Sequence, residues 1–195
     1  MASKIEPRIV DAAIALFADS GYFGVTTRDI ARKARVTEGS IYRLFDSKDR
    51  LFESSLDTVV SHLLDPAEFL LMIFESRQTQ DFSTAIAAPV RQWYSSLTHQ
   101  SARLLIQALL SRNERWRQTA RAPLEKIISI LAGILERDLP KGGLGQLNAN
   151  IVARSLIFAL FQCKITSSPK STKKEEGEQM EDMLQHWLNG VKAGN

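Results

Sequence analysis

The chain has 195 residues, 44% hydrophobic and 24% charged, which suits one large domain or a small domain joined to a larger one, with enough apolar material for a core. The net charge of +3 is too small to argue for a nucleic-acid partner by itself, so the placement of the basic residues decides that question. A single cysteine, Cys163, excludes an intramolecular disulfide and fits a reducing compartment.

At the N-terminus, Glu6, Pro7, Arg8 and Asp11 interrupt the apolar residues, so no secretion signal is expected there. Ile5, Ile9, Ala12, Leu16 and Phe17 recur at helical spacing instead and predict a helix over about Lys4–Asp19. Gly21 is its natural stop, because a left-handed C-terminal cap favours glycine. Thr26 followed by Asp29 resembles a capping box with Asp in place of Glu, and it opens a short helix with Ile30, Ala31 and Ala34 on one face. After a break at Arg35-Val36, Thr37 is expected to cap the next helix. Two short helices joined by so brief a turn suggest a helix-turn-helix. A fourth helix follows Asp46-Ser47, with Leu51, Phe52, Leu56, Val59, Val60 and Leu63 on its apolar side.

Asp65-Pro66 breaks that helix and marks the expected domain boundary. Beyond it the spacing predicts helices over Ala67–Ser76, Phe82–Thr98, Ser101–Arg112 continuing irregularly to Arg121, Pro123–Asp138 and Asn148–Thr166. KGGLG at Lys141–Gly145 reads as a loop, and so does the polar run Ser167–Gly177. A last helix is expected from about Glu178 to Val191. No convincing alternating strand is visible, and no stretch is read as long and apolar enough to cross a bilayer. The expectation is an all-α cytoplasmic protein: a helix-turn-helix domain over 4–64 and a larger helical domain over 65–195.

The helix beginning at Thr37 carries an unusual surface. With about 100° per residue, Leu44 and Phe45 flank Ile41 on one buried face, while Gly39 and Arg43 fall opposite and Ser40 and Tyr42 lie beside them. Gly39 has no side chain to hold a partner away. Free N–H groups near Thr37–Ser40 and the helix dipole favour a phosphate. Tyr42 can pack its ring and donate its hydroxyl, and Arg43 can reach a phosphate or a guanine edge. Lys48 and Arg28 can add phosphate contacts from the neighbouring helices. Each residue alone could simply face water; the cap, turn, helix pair and polar face together favour DNA.

At this point the run from Ala12 to Phe52 resembles the DNA-binding domain of the TetR/AcrR family of bacterial transcriptional regulators. The matching residues are Gly21-Tyr22, Thr26-Thr27, Ile30-Ala31, Ala34, Val36, Gly39, Tyr42, Phe45, Lys48 and Leu51-Phe52. The resemblance implies a three-helix N-terminal DNA-binding domain followed by a larger helical domain for ligand binding and dimerisation. It makes Thr37–Phe45 the recognition helix and Thr27–Ala34 its support. Thr27, Arg28, Thr37, Ser40, Tyr42 and Lys48 would position the DNA backbone, with Arg43 and the exposed edge of Glu38, Gly39 and Ser40 nearer the bases. Two departures stand out: Arg35 occupies a turn position that is often glycine, and Leu44 one that is often histidine. A left-handed Arg35 would cost about 1 kcal/mol; alternatively the turn differs.

In the larger region, Ile151 and Phe158 lie on a helix apolar nearly all round. Met180, Met183, Leu184, Trp187, Leu188 and Val191 form one stripe on the last helix. The resemblance implies that two such helices from each of two subunits form a four-helix interface; an intramolecular core is the competing explanation. Phe69, Phe74, Trp93, Tyr94, Trp116, Phe158 and Phe161 are candidates to line an effector site, with Arg103, Gln107 and Gln162 as its polar groups. Ordinary core packing competes for each of them. The three histidines, His62, His99 and His186, have no metal-ligand spacing, and neither a phosphate loop nor a marked nucleophile is present, so no enzyme, metal or cofactor is expected. The expected function is a homodimeric repressor of a palindromic DNA operator, released by a largely apolar small molecule. An activator would carry the same motif. The alternative from a different class is a helical ligand-binding or protein-interaction module without operator binding.

Overall fold

A computed structural model describes residues 5–63, 65–77, 82–138, 148–166 and 172–193; the side chains of 76–77, 82–85, 138, 173 and 191–193 lie outside the description. The described chain forms α1 (Ile5–Ser20), α2 (Thr27–Ala34), α3 (Glu38–Phe45), α4 (Lys48–Ser61), α5 (Pro66–Arg77), α6 (Phe82–Ser96), α7 (His99–Leu110), α8 (Glu114–Asp138), α9 (Ala149–Thr166) and α10 (Lys173–Ala193). No strand occurs among the described residues, and the all-α fold class holds. Two compact units divide the chain. The first comprises Met1–His62 with Gln100–Arg121, the second Leu63–His99 with Ala122–Asn195.

In the first unit the local rules act as the sequence suggests. Gly21, at φ 74°, ends α1 and donates its N–H to Phe17 O at 2.9 Å. The Thr26 hydroxyl accepts from Asp29 N while the Asp29 carboxylate accepts from Thr26 N, so the capping box is complete. These bonds from Thr26, followed by the Arg32 charge, hold the Asp29 carboxyl below its usual range. Ile9, Phe17, Ile30, Ile41, Leu51, Phe52 and Leu56 are buried, and each belongs to an apolar face set by 3.6-residue spacing.

The turn after α2 is a Schellman motif: Val36 N donates to Ala31 O at 3.0 Å and Arg35 N to Arg32 O at 3.2 Å. Arg35 occupies its left-handed position at φ 55°, ψ 48°, so of the two expectations for this residue the strained one is realised. Arg8 donates from Nη2 to Ala34 O at 2.6 Å, satisfying a carbonyl at the same helix end.

The second unit is built around α9 and α10. By length and composition alone α9 could cross a membrane, although the sequence reading found no such stretch. Its burial accounts for that composition without a bilayer: Val152, Ala153, Leu156, Ile157, Leu160 and Phe161 are all enclosed. Lys164 on the same helix is buried too, with its ammonium 2.9 Å from Glu176 and 4.4 Å from the centre of the Tyr94 ring, so both its charge and its stem are accommodated. Arg91 meets Glu181 through two hydrogen bonds of 2.6 Å, and Arg154 meets Glu125 at 2.9 and 2.8 Å; these forked pairs join α6 to α10 and α9 to α8.

Several boundaries differ from the sequence expectation. A break near Arg121–Pro123 is absent: α8 runs unbroken through Pro123, so the missing amide hydrogen did not end the helix. Pro89 likewise lies inside α6. α10 begins at Lys173 rather than Glu178, because Thr172 and Glu175 form a reciprocal cap, with bonds of 2.8 and 3.2 Å. The expected loop at Lys141–Gly145 and residues 167–171 lie outside the described residues.

Candidate nucleic-acid interface

The α3 helix buries Ile41 and Phe45 and half-buries Leu44, leaving Gly39, Tyr42 and Arg43 exposed. The wheel drawn from the sequence thus describes the real surface. A Cβ built on Gly39 would meet nothing within 4 Å. The chain's own packing therefore does not require glycine here. Thr37 sits at the N-cap in an extended conformation but makes no side-chain cap bond. Its hydroxyl lies 2.8 Å from Ser40 Oγ instead, so the expected capping contact is replaced by a hydroxyl pair at the helix start. The first α3 amides are consequently left without a side-chain acceptor from the cap, as a phosphate site at a helix N-terminus requires.

Beneath this edge lies a small polar network. Thr27 is buried and donates from Oγ1 to Glu38 Oε1 at 2.5 Å. Tyr42 OH lies 3.3 Å from the same Thr27 oxygen. Because the carboxylate only accepts, the Thr27 hydrogen is committed to Glu38, and the Tyr42 hydroxyl is the donor in the longer contact. That hydroxyl can rotate toward a phosphate at little loss. Glu38 Oε2 lies 3.8 Å from Arg28 Nε, which holds a largely exposed guanidinium beside the same face. Glu38 thus positions Thr27 and Arg28 rather than presenting a free carboxylate.

Lys48 is placed differently from its neighbours. Its ammonium donates to Tyr22 O and Val25 O, both at 2.9 Å, and stands 4.1 Å from the centre of the Tyr22 ring. Two of its three donors hold the α1–α2 connection onto the start of α4. The Tyr22 hydroxyl in turn donates to Asp49, and burial, then this carboxylate, pushes its pKa well above the usual value. Arg35, singled out in the sequence at the turn, is exposed, and so is Lys33, which was not singled out; the one signal for Lys33 is that no apolar face claims it.

The candidate effector residues do not converge on one cavity. Arg103, Gln107 and Trp116 belong to the first unit. Arg103 Nη2 points to Asp19 O at 3.5 Å and Gln107 Nε2 to Phe17 O at 2.8 Å. In the second unit Phe69, Trp93, Tyr94 and Phe161 are buried, with the Trp93 and Phe161 rings 5.8 Å apart. Phe74 is exposed on a cavity of about 580 Å³ between α5 and α8, which Leu70, Ile73, Ile134 and Arg137 also line. Phe158 and Gln162 face outward.

The proposed dimer residues divide as well. Met180, Leu184 and Leu188 are buried within the protomer, so they form an intramolecular core rather than a free stripe. Ile151 and Phe158 are 64% and 48% exposed, and Ser155 and Gln162 continue the same outward face of α9. Met183 and Trp187 are half-buried, Trp187 donating from Nε1 to Ser155 Oγ at 3.3 Å. The side chain of Val191 lies outside the described residues.

Known proteins resemble this arrangement in sequence and in shape. Residues 9–54 match the family model of bacterial regulatory proteins, tetR family. The negative transcriptional regulator IcaR of the biofilm operon icaADBC in Staphylococcus aureus is 37% identical over 59 residues, 30% of this chain and 32% of that protein; its Staphylococcus epidermidis counterpart is 30% identical over 61 residues. The chain thus matches about a third of the length of these curated relatives. NalD, the secondary repressor of the MexAB-OprM multidrug efflux pump in Pseudomonas aeruginosa, shares the fold with a TM-score of 0.66 at 22% identity, over 96% of this chain and 95% of that one. FadR of Bacillus subtilis in complex with stearoyl-CoA has a TM-score of 0.63 at 21% identity, over 94% and 97%. Residues 9–54 are thus similar to the tetR family of bacterial regulatory proteins, and nearly the whole chain shares the fold of NalD and FadR.

Proposed function

We propose that the protein is a homodimeric transcriptional regulator that binds a palindromic DNA operator through α3 and acts as a repressor released by a small, largely apolar molecule. The observation that carries this reading is the outer face of α3, where an unobstructed Gly39, an exposed Tyr42 and an exposed Arg43 stand beside a helix start with no side-chain cap bond. Phosphate favours such a helix start, and an arginine on the same face can read a guanine edge. Arg28, Ser40 and Tyr42 position the backbone, Thr27 supports them from its buried place, and Lys48 serves mainly by fixing the joint behind them. Repression is supported by the IcaR and NalD relatives, described as a negative regulator and a repressor.

The dimer is supported by the exposed Ile151 and Phe158 on α9, large apolar residues that an isolated protomer leaves in water. Two-fold pairing would place two recognition helices about 34–36 Å apart, one turn of DNA. For the effector, the cavity of about 580 Å³ beside Phe74 in the second unit is of a size that suits a small molecule, and FadR is a fold relative seen with an acyl-CoA. The test is selection of bound fragments from the host genome by purified protein, followed by binding assays on variants. Tyr42→Phe is expected to weaken every sequence by about fivefold, the loss of one hydrogen bond. Arg43→Ala is expected to weaken binding and relax preference at one base position. Recovery of no fragment above background at low salt would refute the operator reading.

A further inference from the structure

We infer that the first unit carries a small-molecule site of its own, in the cavity between the α1–α2 connection and the α7–α8 turn, suited to an uncharged, flat aromatic compound with one hydrogen-bond donor and one acceptor. The cavity measures about 1010 Å³ and is lined by Tyr22, Phe23, Phe52, Gln107, Leu110 and Trp116 among others. Its walls are aromatic: the Phe52 and Trp116 rings are 4.3 Å apart and the Tyr22 and Trp116 rings 4.9 Å. Flat aromatic ligands match such walls by offset or edge-on stacking.

Two of the side chains that line it each carry a buried polar atom without a hydrogen-bond partner among the described residues: Trp116 Nε1 and Gln107 Oε1. Trp116 is only 6% exposed. The Gln107 amide cannot be turned round to remove the problem, because its Nε2 already donates to Phe17 O at 2.8 Å and a flip would set oxygen against oxygen. Buried polar groups are nearly always paired; two unpaired ones on side chains of a single cavity define the complement of a ligand that settles between them, an acceptor for the indole N–H and a donor for the amide oxygen. At the same cavity Phe23 is 94% and Leu110 81% exposed, apolar surface that a bound ring would cover. Asp49 and Arg112 also line it with opposite charges, and Asp49 already accepts from the Tyr22 hydroxyl, so nothing favours a charged ligand.

The position gives the site a consequence. Tyr22 forms a wall of the cavity, and its carbonyl and ring hold the Lys48 ammonium at the start of α4. A ligand that shifts Tyr22 loosens the joint flanking α2 and α3. That effect on DNA binding rests on the function proposed above; the binding itself does not.

The test is a titration of the ¹⁵N-labelled protein with naphthalene-2-carboxamide, following the indole N–H resonances and taking naphthalene as the apolar control. The Trp116 signal, assigned by its loss in Trp116→Phe, is expected to move saturably while those of Trp93 and Trp187 stay. The carboxamide is expected to bind about tenfold tighter than naphthalene, and Gln107→Leu to remove most of that difference, as follows from losing a buried hydrogen bond. Leu110→Ser, an exposed change that leaves the core intact, is expected to weaken both compounds together. A Trp116 signal unmoved at millimolar carboxamide, movement confined to Trp93 or Trp187, or equal binding of carboxamide and naphthalene would overturn the inference. No DNA enters this assay, so its failure is separable from failure of the operator reading.

Discussion

Replacing Arg35 by glycine is expected to stabilise the protein and to weaken its hold on DNA. Arg35 has φ 55° and ψ 48°, a conformation that costs an L-residue with a Cβ about 1–2 kcal/mol. Glycine removes that strain but loses about 0.5–1 kcal/mol through the greater freedom of its unfolded chain. The net gain is about 0.5–1 kcal/mol, or about 1–4 °C in melting temperature for a chain of this size. The Schellman bonds are made by the main chain of Arg35 and Val36, so they survive the change. Arg35→Ala separates the two roles of the residue, because it removes the guanidinium and keeps the strain. Circular-dichroism melts should place Arg35→Gly above both the wild type and Arg35→Ala. If the guanidinium meets a phosphate, both variants should bind operator more weakly and lower the salt slope by about 1. A glycine variant no more stable than the alanine variant would refute a strained, left-handed turn at this position.

Lys48→Met should cost about 1–3 kcal/mol in urea unfolding without any DNA, because two carbonyls, Tyr22 O and Val25 O, lose a charged donor; unchanged stability would count against its role as a clamp. The Arg91 hydrogen bonds hold the Glu181 carboxyl down to about 2. A depressed carboxyl stabilises the fold above its unfolded value near 4.3 and loses that contribution as pH falls toward the folded value. The stability difference between wild type and Glu181→Gln should therefore be full at pH 6 and shrink steadily from about pH 5 to pH 2; a pH-independent difference would reject the assignment. Ile151→Asp with Phe158→Asp should convert a dimer to a monomer in sedimentation while leaving the helical circular-dichroism spectrum intact, since both side chains are exposed in the protomer; a dimer that persists would place the interface elsewhere.

Much of the first unit was legible because its signals are local. A capping box, a glycine stop and an apolar face each depend on residues within four positions of one another, and Thr26 with Asp29, Gly21, and Ile41 with Phe45 all behave accordingly. The start of α10 was equally local and was passed over, because the lysines and glutamates after Thr172 read as a solvated loop while Thr172-Glu175 carried the cap. Pro123 in α8 shows the limit of such rules, since one missing amide hydrogen did not end a helix of 25 residues.

The chain's own letters determined that it is helical, where the helix-turn-helix lies, and which face of α3 looks outward, because helical spacing alone sorts buried from exposed positions. They did not determine what distant segments bring to one another. Lys48 met carbonyls 23 and 26 residues away, the apolar stripe of α10 split between buried and half-buried positions, and Gln107 and Trp116 joined Tyr22 and Phe52 around a cavity of the first unit. An apolar or polar side chain carries the same pattern whichever partner it finds, and only the packing of remote helices chooses that partner.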